Sequence, residues 1–181
     1  MHLLVLTCDF SMSSILTSQV ILITGTPGVG KTSVGRFLQK KGHIVLNLNN
    51  FILSHGLYFG YDYSRDSVII DEIKLKEHLE IELLDFKENI FIEGHTSELV
   101  PIDFIKMVFV LRCNPGILRD RLESSRDYSS EKIEENVQAE IMEECLLSTK
   151  SEFPSKPIFE IDSTKNSPEM IAENILSSIA E

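Results

Sequence analysis

Cysteine is scarce in this 181-residue chain: Cys8, Cys113 and Cys145 are odd in number, widely scattered and form no CxxC pair. That excludes a disulfide-stapled scaffold and a thiolate zinc site. It fits small buried thiols in a reducing, cytoplasmic setting. Long apolar runs are missing too. The longest blocks, such as Met107 to Leu111, are strand-sized and fall short of the roughly 18 residues a membrane span needs. Glycine (9) and proline (6) are too few for collagen-like or linker-dominated sequence. Basic residues are outnumbered, with 17 Lys and Arg against 28 Asp and Glu, a net charge of −11. A body this acidic repels phosphate backbones, so neither non-specific nor direct sequence-specific nucleic-acid binding is expected; a basic protein partner is allowed.

What is present is an ordinary globular composition, 43% apolar and 25% charged, long enough for one well-buried domain. The opening MHLLVLTCDFS lacks the basic n-region and small-residue cleavage site of a signal peptide. Residues 1–14 are expected to be a disordered tail or a mis-assigned start, and 15–181 the single domain. VILIT (20–24) reads as a fully buried parallel strand, followed by a helix from Lys31 to about Lys41. HIVLNL (43–48) reads as a second strand, with Asn49 or Asn50 capping a short helix through Ser54. Tyr58 to Ser67 reads as an irregular cover, and Asp71 to Phe86 as a helix with acids outward. NIFIEGH (89–95), KMVFVLRC (106–113) and PIFEID (157–162) complete the strands. Asn114-Pro115 opens a helix to about Ser124, Glu131 to about Thr149 reads as another, and Ser167-Pro168 starts the last, to Ala180. Strands alternating with helices predict a three-layer α/β domain, a five-stranded parallel sheet with helices on both faces.

Gly25-Thr26-Pro27-Gly28-Val29-Gly30-Lys31-Thr32 satisfies G-x-x-x-x-G-K-[ST] between a strand and a helix, the context that pattern requires. A simple turn would account for the glycines but not for Lys-Thr at the helix start. The wrapped loop aims backbone N–H groups at a β-phosphate and the helix dipole adds to them. Lys31 reaches β- and γ-oxygens, Thr32 can ligate Mg²⁺, and Ser33 can touch the α-phosphate. The carboxylate that helps hold Mg²⁺ through water is expected at a neighbouring strand end, where Glu93 closes IFIE; Asp71 is better read as a helix N-terminal partner. His95 beside it can orient an attacking oxygen or relay a proton. Arg112, Arg121 and Arg126 group around the end of FVLR and the polar break that follows, as cations for a moving phosphoryl group. Arg119 is expected to pair with Glu123 on the helix surface.

GTPGVGKTS, Gly60-Tyr61-Asp62-Tyr63 ahead of Asp71-Glu72, FIEGH, FVLRC and RLESSRDYSSEKIEENVQAEI together resemble the atypical adenylate kinases of the isoenzyme-6 type. These are small nucleoside-monophosphate (NMP) kinases also associated with small ribosomal subunit maturation. The resemblance runs from about Val20 to Ala180, and its RL-x(3)-R-x-Y…N-x-Q-x-E-I block is far more specific than the phosphate loop. It implies a P-loop NTPase fold of NMP-kinase type, with ATP at Gly28, Gly30, Lys31, Thr32, Ser33 and Arg126. It further implies an NMP-binding region at about 48–71, a short lid at about 125–135, and a small-subunit platform ribosomal protein as partner. Glu93-Gly94-His95 stands where the family has Asp-x-His, and Asn49-Asn50 where it more often has Gly-Asp.

The expected activity is therefore ATP:AMP phosphotransfer, with AMP or a related NMP as acceptor. The break near 124–130 is too short for a large lid, so some ATPase activity is expected beside it. Two alternatives stay open: an ATP-switched ribosome assembly factor in which hydrolysis matters most, or another small-molecule kinase. An acidic strip on the 131–144 helix, including Glu134, Glu135 and Glu140, is the expected docking face for a basic partner.

Overall fold

The computed structural model describes residues 19–63, 67–125 and 128–180. The expected tail at residues 1–14 and Arg126 lie outside the described residues. Strand β1 (Val20–Thr24) leads through the glycine loop into helix α1 (Lys31–Lys40); β2 (Val45–Asn47) and α2 (Leu48–Ser54) follow. Strands β3 (Tyr58–Asp62) and β4 (Ser67–Ile70) precede α3 (Glu72–Asp85) and β5 (Ile90–Glu93). The chain continues through β6 (Ile105–Arg112), α4 (Pro115–Ser124), α5 (Ser130–Ile141), α6 (Glu144–Glu152), β7 (Ile158–Asp162) and α7 (Pro168–Ala180).

The main sheet has five parallel strands in the order β2-β5-β1-β6-β7. Every residue of β1 is buried because the sheet is covered on both sides, which is why VILIT shows no polar alternation. Its side chains divide nonetheless. Val20 and Leu22 join a core with Leu75, Leu79 and Leu83 of α3, and Ile21 and Ile23 join a second with Val34, Leu118, Ile133 and Ile171. These are the two helical layers of a P-loop NMP-kinase-like fold. From β1 the chain first builds β2 and β5 on one side, then crosses to β6 on the other. This reversal opens a crevice at the carboxyl ends of β1 and β5. Ile23 pairs in register with Glu93, and Glu93 with Asn47, so the loop, the acid and the asparagine meet at that edge.

The structure departs from several local expectations. Tyr58 to Ser67 contributes to an antiparallel hairpin, not an irregular cover: β3 and β4 pair from Tyr58–Ile70 to Asp62–Ser67. Its β-forming aromatics and valine are masked in sequence by Gly60 and by weak burial, which leaves no clean alternation. Helix α2 is capped by Asn47, whose side chain accepts from Asn50 N–H at 2.8 Å, so β2 ends earlier than expected. The single helix to Thr149 is two helices, broken at Glu143, which is left-handed (φ 57°). Arg112 explains the break: its guanidinium donates to the Glu140 carbonyl at 3.2 Å and to the Glu143 carboxylate at 3.1 Å, capping α5 from the side. Ile141 is 50% exposed instead of continuing the Ile133–Val137 stripe, and Glu140, expected outward, is 2% exposed. Arg119 pairs with Glu134 of the next helix rather than with Glu123.

Candidate active site

A cavity of about 700 Å³ opens at the carboxyl edge of the sheet. Its floor is the phosphate loop with Thr26, Pro27, Gly28, Lys31 and Thr32; Asn47, Glu93 and His95 form one flank. Tyr61, Val68 and Ile70 of the hairpin face Tyr128, Lys132 and Asn136 at α5 across the opening. The loop's shape depends on glycine where φ is positive. Gly28 sits at +91°, and a Cβ there would lie 2.7 Å from a Leu122 methyl and 2.9 Å from a Leu118 methyl. Gly30, at +107°, occupies the N-cap of α1.

Lys31 folds back over the loop, donating to the Gly25 carbonyl at 2.6 Å and the Thr26 carbonyl at 3.1 Å. Burial pulls its pKa from 10.5 down to about 8, against the upward pull of Cys145, Glu93 and Glu140. Binding phosphate would return to this ammonium the negative partners that burial withholds. The Thr32 hydroxyl donates to Glu93 at 3.3 Å, and Asn47 Nδ2 donates to the other Glu93 oxygen. Glu93 is only 3% exposed, so these donors offset its loss of water. His95 stands at the rim, reachable by water but ringed by protein. Desolvation first, then the charges of Lys31 and Lys132, lower its pKa to about 4, so the imidazole is neutral at pH 7.

The sheet edge thus brings Lys31, Thr32, Glu93 and His95 together. Gly28 and Gly30 shape the loop beneath them, and Gly28 also borders a smaller cavity of about 280 Å³ on the loop's far side with Gly30, Ser33, Arg121, Ser163 and Asn166. Arg121 braces that second cavity, donating to the Ser163 carbonyl at 2.7 Å and the Thr164 carbonyl at 3.3 Å. Arg112 does not line either cavity; it is bound to Glu140 at 2.9 Å and Glu143 at 3.1 Å behind the loop. The sequence does not single out Lys132 or Asn136, and it offers Glu140 only as a surface acid. Their i, i+4, i+8 spacing is a polar stripe beside the apolar stripe of α5, the one signal that marked them. Cys145 also lines the larger cavity, its thiol pushed up by burial. Among the described residues, no group of three or more His, Cys, Asp or Glu is arranged to hold a metal by itself. No helix among them is long and apolar enough to cross a membrane.

A phosphate loop at the crevice of a parallel sheet in this strand order defines a P-loop protein of kinase fold. Solved structures at low identity share it. Shikimate kinase from Bacteroides thetaiotaomicron matches with a TM-score of 0.56 at 16% identity, over 90% of this chain and 99% of that one. The Deinococcus radiodurans tunicamycin resistance protein matches at 0.60 with 16% identity, over 90% and 95%. Residues 21–143 match the family model described as AAA domain. A protein named "Putative adenylate kinase" from Methanocaldococcus jannaschii is 38% identical over 160 residues, 88% of this chain and 85% of that protein. Its namesake from Pyrococcus abyssi is 41% identical over 161 residues, 88% and 83%. The chain belongs to the AAA domain family and to the same protein family as these two relatives.

Proposed function

We propose that the protein transfers the γ-phosphoryl group of ATP to AMP or a related nucleoside monophosphate, giving two nucleoside diphosphates. The observation that carries this reading is a phosphate loop on the floor of a cavity large enough for a second nucleotide. The hairpin and Asn47 face that second position, and the relatives' name points the same way. A phosphate oxygen of the acceptor attacks the γ-phosphorus as the bond to the β–γ bridging oxygen breaks, and the electron pair leaves with ADP. Lys31 neutralises the charge that grows on the β- and γ-oxygens. Lys132 supplies a second cation from the opposite wall. Arg121 and Ser33 border the smaller cavity, on the side where the rest of ATP would extend; Arg112 acts from behind the loop through its carboxylate partners. Arg126 lies outside the described residues; by the resemblance it would add a further cation to the ATP phosphates.

The Thr32–Glu93 pair fits a hard cation, since both offer oxygen and stand side by side at the loop. Thr32, with Glu93 directly or through water, would hold Mg²⁺, which when bound shields the phosphate charge. His95, neutral at pH 7, orients the attacking oxygen by hydrogen bonding rather than by charge. Only the short stretch 125–129 connects α4 to α5, so water reaches the phosphates and ATP hydrolysis accompanies transfer. The test is a panel of nucleoside monophosphates with ATP and Mg²⁺, products resolved by chromatography. ADP formation that depends on the added monophosphate is expected; ATP loss indifferent to every monophosphate would reject the kinase reading.

A second reading, an ATP-dependent assembly factor for the small ribosomal subunit, is favoured by the exposed acids of α5. Glu131, Glu134 and Glu135 face outward beside the cavity, whereas Glu140 does not. They suit a basic tail such as a platform ribosomal protein carries. Changing the three to Gln should weaken binding of that protein and flatten its salt dependence in a titration; unchanged affinity would remove this helix from the interface.

A further inference from the structure

We propose that Glu140 is a positioning residue for the phosphate loop, holding it in its phosphate-binding shape through the Thr26 hydroxyl. The proposal deepens the kinase reading and rests on it. Three donors from two separate parts of the chain, the phosphate loop and the end of β6, converge on this carboxylate at the end of α5. Oε2 accepts from Thr26 Oγ1, and Oε1 accepts from Arg112 Nε and from the Cys113 backbone N–H, both at 2.9 Å. Glu140 and Thr26 are each only 2% exposed. A carboxylate this deep is costly unless its charge and its lone pairs are met. Arg112 meets the charge and is itself anchored to Glu143 and, at 3.8 Å, to Glu160 of β7.

Thr26 is the point where this anchor reaches the chemistry. Its carbonyl accepts from Lys31 Nζ at 3.1 Å and from Val29 N–H at 3.3 Å. Fixing Thr26 therefore fixes the resting place of the lysine and the turn that aims the loop's N–H groups. A loop built to stabilise phosphate must be organised before the phosphate arrives, or binding energy is spent ordering it. The same helix carries Lys132 and Asn136 into the cavity, so the Glu140–Thr26 bond also sets the distance between floor and wall. Glu140 does not itself line the cavity. The negative charge of Glu140 additionally favours the protonated form of Lys31.

The experiment compares T26V, T26S, E140Q and the T26V/E140Q double variant in the full chain. Binding of a non-hydrolysable ATP analogue with Mg²⁺ is measured by calorimetry, and KM and kcat with AMP as acceptor. T26V and E140Q should each weaken analogue binding and raise KM for ATP about tenfold, the scale of one lost hydrogen bond to a buried charged group. KM for AMP should stay put, T26S should restore binding, and the double variant should be no worse than the more damaged single one. Unchanged binding in T26V, or effects that multiply in the double variant, would overturn the proposal. Should E140Q fail to fold for want of a partner to Arg112, the T26V and T26S pair decides alone, because valine preserves the size of threonine. If the variants lose analogue binding while the unmodified protein transfers phosphate to no monophosphate, the positioning role stands and the kinase reading falls.

Discussion

Lys31 is held between two opposing demands, and its substitution separates them. Burial lowers its pKa from 10.5 to about 8, so in the empty site it costs stability wherever it is protonated. Between those two values the unfolded chain binds more protons than the folded one, and stability attributable to this residue rises with pH across that window. Lys31→Met should therefore melt higher than the unmodified protein at pH 7 while turnover falls by about 10² or more. Near-normal transfer by the variant, followed as ADP formed, would contradict the role given to the lysine. Phosphate raises the pKa again, so ATP binding at pH 8.5 should take up protons, visible as a calorimetric heat that changes with buffer ionisation enthalpy. Absence of uptake would place the ammonium away from the phosphates. His95 has the same sign at lower pH. Its pKa falls from 6.5 to about 4, so its contribution makes stability rise with pH across that interval and vanishes above it. In His95→Gln the melting temperature should depend less steeply on pH between 4 and 6.5, and transfer should drop with nucleotide binding retained.

Helix α4 meets the loop at a tight contact, Gly28. A methyl group there would strike Leu118 and Leu122 while φ is already in the left-handed region. Gly28→Ala should push α4 outward, lowering both melting temperature and ATP affinity. Leu122→Ala alone should cost about 2–5 kcal/mol through the cavity it leaves. In the double variant the added methyl occupies part of that cavity, so denaturant titrations should show a combined loss smaller than the sum. Full additivity would mean that α4 does not form the loop's underside. At this scale the sequence was a good guide wherever caps and buried periodicity acted locally. Asn114 with Pro115 marked α4 correctly, and Ser167 marked α7. It misled where a distant side chain decided the outcome: nothing near Glu143 announces a break, because the cause is Arg112, 31 residues earlier.

For the whole molecule, the two cores lie on opposite faces of one sheet and are joined through alternate residues of β1. Neither can lose its packing without exposing strands the other needs. Unfolding in urea should therefore be a single transition, the same by far-UV circular dichroism and by tyrosine fluorescence. ATP with Mg²⁺ should raise its midpoint in proportion to the logarithm of ligand concentration above the dissociation constant. Two separated transitions would show that the helical layers unfold independently.

By itself the sequence determined the layered α/β architecture and the phosphate loop, since both are written in contiguous patterns: apolar strands, helical spacing, and GTPGVGKT between them. It also placed Glu93 and His95 correctly at a strand end. Tertiary structure alone decided how these become one site. The strand order sets Glu93 against Ile23 and Asn47, and a sheet order cannot be read along a chain. It turned Arg112 from a cation facing phosphate into the partner of Glu140, and Glu140 from a surface acid into the anchor of Thr26. A buried charge takes its role from whichever opposite charge the fold brings within reach: Arg112 is separated from Glu140 by 28 positions, and Thr26, which donates to the same carboxylate, by 114.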